Sequence, residues 1–255
     1  MNLLTTNQIF IKLFYYEFKR ILFHKFYLGI LLIGAIYNWL ILKGEIILGI
    51  SHTAPFSGWS FGVYLCHSIP LLLFLIYFLF YQLYYGTNHQ VRVLTLATPI
   101  SPSYYLLIHC TTILAAVLFF ITLEVTEGIL FLYSLFPLAV SIKELFAPIC
   151  FIYLPVLSLC FGFALYSIQI HPVFFFGSAL FLLLLEPIMA FLLQDPSHIL
   201  VEALPLSINS YLIRYPLTFI DADTPFYLIK GMVIIRIFTF LLGSGCTFLG
   251  IRKGF

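Results

Sequence analysis

Charge is what this chain has least of. Residues 46–91 contain no Asp, Glu, Lys or Arg, and neither do 93–123 or 145–185. Apolar runs that long cannot be the core of a soluble protein of 255 residues, whereas about 20 such residues cross a bilayer core. The pattern predicts a polytopic membrane protein. So little water-facing mass leaves small room for a soluble catalytic domain and points to transport or partner-driven work.

Other absences narrow the chemistry. The five cysteines, Cys66, Cys110, Cys150, Cys160 and Cys246, form no Cys-x-x-Cys pair and all sit in apolar stretches, so they read as small buried hydrophobes. No G-x-x-x-x-G-K-[ST] cradle for nucleotide phosphates is present. H-E-x-x-H, an adjacent Glu-Glu pair with a downstream Arg, and a G-x-S-G nucleophile are absent, and the seven His have no metal-ligand spacing. No catalytic, cofactor or metal site is expected, which weighs against an intramembrane enzyme. A non-transporting assembly scaffold stays open as an alternative. Gly243-Ser244-Gly245 suits close packing of the last span. The first apolar segment follows a long basic helix and lacks a small-residue cleavage site, so it reads as an uncleaved first span. With no internal repeat or low-complexity linker, residues 1–255 are expected to form one membrane domain.

What is present is apolar and aromatic. The chain is 62% hydrophobic and 9% charged, with 29 Phe, 17 Tyr and a mean hydropathy of +1.09. The expected fold is all-α, with six transmembrane helices over roughly 25–42, 61–85, 105–131, 146–167, 173–193 and 226–250. Turn chemistry separates them: Pro99 and Pro102, His171-Pro172, and Asp223-Thr224-Pro225. In this arrangement Lys12, Lys19, Arg20, Lys25, Arg92, Arg252 and Lys253 share one side with Glu17 as the only acid. Glu45, Glu144, Asp195, Glu202, Asp221 and Asp223 fall on the other, against Lys43, Lys143 and Arg214. The positive-inside rule then makes both termini cytoplasmic and the 194–225 segment extracytoplasmic.

Two cytoplasmic features stand out. Residues 8–24 read as an amphipathic helix: Phe10, Ile11, Phe14, Phe18, Ile21 and Leu22 form one stripe, and Gln8, Lys12, Tyr16, Lys19, Arg20 and His24 the opposite arc. An apolar stripe backed by basic residues suits a helix in the membrane interface more than an inward extension of the first span. The 86–104 loop leaves Val91, Val93, Leu94, Leu96 and Ile100 needing cover, either from a partner or from the protein's own underside.

These residues carry a resemblance. The Tyr-Glu-Phe-Lys-Arg helix at 16–20 resembles the elbow helix of ABC-2 type transporter permeases, and Leu94–Ser101, LTLATPIS, is similar to their LLATPxS coupling loop. The layout, the polar segment before the last span and the short basic tail also fit. Tyr84, Tyr85 and His109 replace the acidic residues before the loop and the Lys beyond it that are common in that family. The resemblance implies an exporter subunit in a bacterial plasma membrane that dimerises with itself or a sibling permease. A separate ATPase would hold ATP and Mg²⁺, with Leu94, Leu96, Pro99, Ile100, Glu17 and Arg20 coupling to it. The implied cargo is amphipathic or lipidic, such as a peptide, drug or lipid. The lipid bilayer is the remaining partner, and no nucleic acid is expected.

Ionisable residues inside spans are functional candidates by default. Glu186 is about 13 residues into the fifth span from the cytoplasm, and Arg236 about 10 residues into the sixth from outside. These similar depths, roughly 20 and 15 Å from opposite faces of a core of about 30 Å, predict an ion pair, read as structural with substrate binding as the alternative. Glu124 and Glu127, three residues apart, share a helix face near the outer end of the third span. They read as a solvated exit rim, with a contact for cationic cargo as the alternative.

Overall fold

The computed structural model describes residues 6–43, 58–85, 102–135, 142–193 and 230–253. Among these residues helix is the only regular secondary structure, with no strand. The elements are α1 (Thr6–Leu22), α2 (Lys25–Ile41), α3 (Gly58–His67), α4 (Ile69–Tyr85), α5 (Pro102–Leu135), α6 (Ile142–Ile168), α7 (Pro172–Leu193) and α8 (Lys230–Lys253). Three of them carry stretches long and apolar enough to cross a membrane: Tyr104–Phe131, Ile149–Ile168 and Ile234–Arg252. The bent α1–α2 pair qualifies as a fourth if taken as one span, and α4 and α7 are apolar over shorter stretches.

α1 and α2 meet at 60°, which rules out α1 as a straight inward extension of the first span. His24 makes the corner. Its backbone is extended, ending α1, and its Nδ1 accepts the Phe26 N–H at 3.3 Å to cap α2. His171 does the same before α7, accepting the Val173 N–H at 3.2 Å. Phe10, Phe14 and Phe18 stack along one face of α1 with centroids 6.3 and 5.7 Å apart, and Ile21 and Leu22 pack on the core. Ile11, assigned to that stripe by its spacing, is instead 65% exposed.

The expected 61–85 span is broken. α3 ends at His67 and α4 begins at Ile69, because Pro70 has no N–H to continue the ladder. Ser68 repairs the break, its Oγ donating to the Leu65 carbonyl at 2.8 Å and its own carbonyl accepting the Leu72 N–H at 3.0 Å.

α5 is a central post of 34 residues, about 50 Å at helical rise and so longer than a bilayer core of about 30 Å. α1, α2, α3, α4 and α8 all pack on it. α6 carries α7 on one flank and α8 on another, and the broken α3–α4 pair packs on both α5 and α6. The α6–α8 crossing is the closest. A Cβ on Gly162 would stand 2.2 Å from the Gly243 carbonyl oxygen, and one on Gly243 would stand 2.3 Å from the Ser158 carbonyl. Ser158 Oγ donates to the Phe240 carbonyl at 2.8 Å and lies 3.0 Å from Ser244 Oγ. Of the Gly-Ser-Gly triplet only Gly243 is needed for this approach; a Cβ on Gly245 would meet nothing within 4 Å.

Gly243→Ala and Gly162→Ala should therefore destabilise the folded protein by about 1–3 kcal/mol or more, through forced separation of two backbones. Gly245→Ala and Gly177→Ala, both facing open space, should be neutral or slightly stabilising. Melting of the four variants in detergent checks this; equal behaviour would mean that α6 and α8 do not cross here.

Candidate functional site

α5 carries Glu124 into the interior, where it is 3% exposed. Four other parts of the bundle meet it there. α2 supplies Gly34 and Asn38, α3 supplies Tyr64, the α3–α4 break supplies Ser68, and α6 supplies Tyr153. Gly34 leaves room for the Phe120 ring beside the carboxyl: a Cβ there would lie 3.1 Å from that ring and at an ordinary contact distance, 3.6 Å, from Glu124 Oε1. Gly128, one turn beyond Glu124, makes room for Tyr64, whose Cε1 would be 2.4 Å from an added Cβ. Tyr64 OH donates to the Glu124 backbone carbonyl at 2.8 Å, Tyr153 OH reaches Glu124 Oε2 at 3.3 Å, and Ser68 Oγ lies 2.7 Å from Tyr153 OH.

Glu124 is thus enclosed rather than on a solvated rim. Glu124 and Glu127 are one turn apart on α5, yet α2, α3 and α6 close over the first, whereas Glu127 is only half-buried. Among the described residues the one salt bridge is Glu17–Arg20, so no cation stands beside Glu124. Sequence reasoning missed Asn38, Tyr64, Ser68 and Tyr153. The available signals were a lone amide inside the first span and Ser-Ile-Pro inside the second.

Arg236 is 3% exposed on α8, with its guanidinium carbon 5.4 Å from the Phe151 ring centroid on α6. Its Nε and Nη1 make no hydrogen bond among the described residues. The Glu186 side chain, its expected counter-ion, lies outside the described residues. Among the described residues α7 and α8 each pack on α6, with little direct contact between them.

Glu17 and Arg20 form a 2.6 Å ion pair along α1. Burial raises the Glu17 carboxyl above its usual range, an effect that Arg20 partly offsets. Tyr105 of α5 is within electrostatic reach of both, and its ring packs edge-on against His109 at 4.2 Å. Phe10 packs edge-on against Tyr104 at 6.0 Å. Leu94, Leu96, Pro99 and Ile100 lie outside the described residues.

No family model, characterised protein or solved structure matches this chain.

The Arg236 environment generates a double-mutant cycle. Arg236→Ala should lower folded yield, at a cost of about 3–5 kcal/mol if Glu186 is thereby left as an uncompensated buried charge. Changing both residues to Leu should then recover part of the loss. A double variant as poor as the sum of the singles, measured by monodisperse yield and melting, would show that the two are not paired.

Proposed function

We propose that this chain is the membrane-spanning permease subunit of an ATP-driven exporter of the ABC-2 type. Its six spans are α2, α3 with α4, α5, α6, α7 and α8, and α1 lies in the cytoplasmic interface. Both termini face the cytoplasm of a bacterial cell, and transport is powered by a separate ATPase that holds ATP and Mg²⁺. The permease works as a dimer with a second copy or a sibling. Its cargo is amphipathic or hydrophobic, in keeping with a bundle whose interior and surface are both largely apolar.

The observation that carries this reading is the junction of α1 with the start of α5. The elbow turns through 60° at His24 and packs on the end of α5 that directly follows the 86–101 segment. An elbow packed on the helix that directly follows the proposed coupling loop lets an ATPase push on α1 and α5 together. The other helix ends support the same topology. His24 contacts Gln82 near the end of α4, Tyr81 packs on Phe176 near the start of α7, and Gln169 after α6 donates to the Gly250 carbonyl near the end of α8 at 3.0 Å. Lys12, Lys19, Arg20, Lys25 and Arg252 flank these ends, as the positive-inside rule requires of a cytoplasmic face.

Changing Leu94 and Leu96 together to Asp would put charge into an apolar interface, a penalty of several kcal/mol. The permease should still insert, because the loop is outside the bilayer, while ATPase recruitment and transport should both fail. Co-purification of the separate ATPase with wild-type and doubly substituted chains from one host reads this out. Undiminished capture by the Asp variant would mean that the loop packs against the protein's own underside.

A further inference from the structure

The faces of α1 are not used as its sequence suggests. Phe10, Phe14 and Phe18 belong to the stripe that suits a lipid surface, and they stack along one side of the helix. That side turns towards the protein: Phe10 packs on Tyr104 of α5, and Phe18, Ile21 and Leu22 join the core. The apolar stripe is therefore covered by the bundle itself. What α1 leaves open is a second stripe. Lys12, Tyr15, Tyr16 and Lys19 follow one another at i, i+3, i+4 and i+7, the spacing of a single helix face. All four are exposed.

The stripe pairs uncovered aromatic rings with cations. The Tyr15 and Tyr16 rings meet edge-on at 6.2 Å between the two lysines, and are 60% and 70% exposed. Tyr placed this way sits at the headgroup level of a bilayer, its ring towards the acyl chains and its hydroxyl in water. Phe23 and Phe26, 71% and 66% exposed, carry the aromatic surface through the corner on to α2. Lys12 and Lys19 stand two turns apart, about 10 Å along the helix, so each reaches its own headgroup. Their aliphatic stems lie over lipid while the ammonium groups stay in the phosphate layer. No acid interrupts the stripe. Glu17, the only acid of α1, is on the adjoining flank, where it pairs with Arg20. A zwitterionic headgroup would bring its own ammonium beside the lysines, whereas an anionic one brings negative charge without that repulsion.

We propose that the face of α1 formed by Lys12, Tyr15, Tyr16 and Lys19 is a docking surface for anionic phospholipid headgroups. The negative surface of the cytoplasmic leaflet attracts such a face, and the lipid holds the elbow against the membrane. Glu17 and Arg20, on the flank beside it, stay free of lipid for the ATPase. The inference rests on the proposed placement of α1 in the cytoplasmic interface.

The full chain, purified in a neutral detergent, is titrated with phosphatidylglycerol or phosphatidylcholine, and bound lipid is counted by native mass spectrometry. Wild type should retain phosphatidylglycerol in preference to phosphatidylcholine. Each Lys near an anionic surface contributes about fivefold in affinity. Lys12→Gln with Lys19→Gln should therefore weaken phosphatidylglycerol binding about 25-fold and leave phosphatidylcholine binding unchanged. Lys12→Arg with Lys19→Arg should keep the preference. If the paired Gln variant is not monodisperse, the single variants carry the comparison, each about fivefold weaker. Equal retention of the two lipids by wild type would overturn the proposal, as would undiminished phosphatidylglycerol binding in the Gln variants. So would an equal loss on removing two charges elsewhere, by Arg252→Gln with Lys253→Gln. No ATPase enters this measurement, so a missing lipid preference leaves the exporter reading standing, and failed ATPase capture leaves this surface standing.

Discussion

Hydroxyl and amide donors reaching across to the backbone carbonyls of neighbouring helices are what the rest of this bundle depends on. Tyr27 OH donates to the Ala116 carbonyl at 2.7 Å, Tyr64 OH to Glu124, Ser158 Oγ to Phe240 and Gln169 Nε2 to Gly250. Each carbonyl in a helix already accepts one bond from its own ladder and keeps a second lone pair. In lipid there is no hydrophobic force between apolar helices and no water to satisfy a stray hydroxyl, so such bonds and close packing decide which helices associate. The two tyrosines fix α2 and α3 on α5, and the serine and glutamine fix α8 on α6.

These ties also explain where polar residues can sit. Tyr64 holds α3 against α5 at Glu124, which brings the α3–α4 break to the level of the carboxyl. Irregular backbone at membrane depth is tolerated where it is buried in protein; at Ser68, which is 1% exposed, that condition is met. The break, the glycines at 34 and 128 and the buried Glu therefore form one arrangement rather than four separate irregularities. The α6–α8 crossing is its counterpart: glycine backbones in contact, serine cross-bonds, and an outer surface of exposed Ile, Leu and Phe on α8.

Much of the helix layout was legible in the sequence, since charge-free runs and prolines locate α5, α6 and α7 to within a few residues. Lys25 at the start of α2 and the basic arc of α1 likewise marked the elbow. The break at Ser68 was not read, because an apolar run of that length looks continuous and Pro is tolerated in membrane helices. The Glu124 cluster was only half legible. Periodicity tells which residues share a face, not which neighbour covers it, so two glutamates on one stripe of α5 differ in burial for reasons that lie in α2, α3 and α6. Asn38, a single amide in an apolar run, gives no periodic signal at all.

In the proposed topology the charge-poor helices cross a bilayer with α1, both termini and the basic residues on its cytoplasmic side. Cysteine-accessibility mapping in intact cells tests it most directly, using single cysteines placed at Asn7, Asp195, Asp221 and Lys253 in a chain whose native cysteines are replaced. The account predicts that positions 7 and 253 label only after the membrane is permeabilised, and that 195 and 221 label from outside. An externally labelled position 253 would contradict the six-span topology and the permease reading built on it.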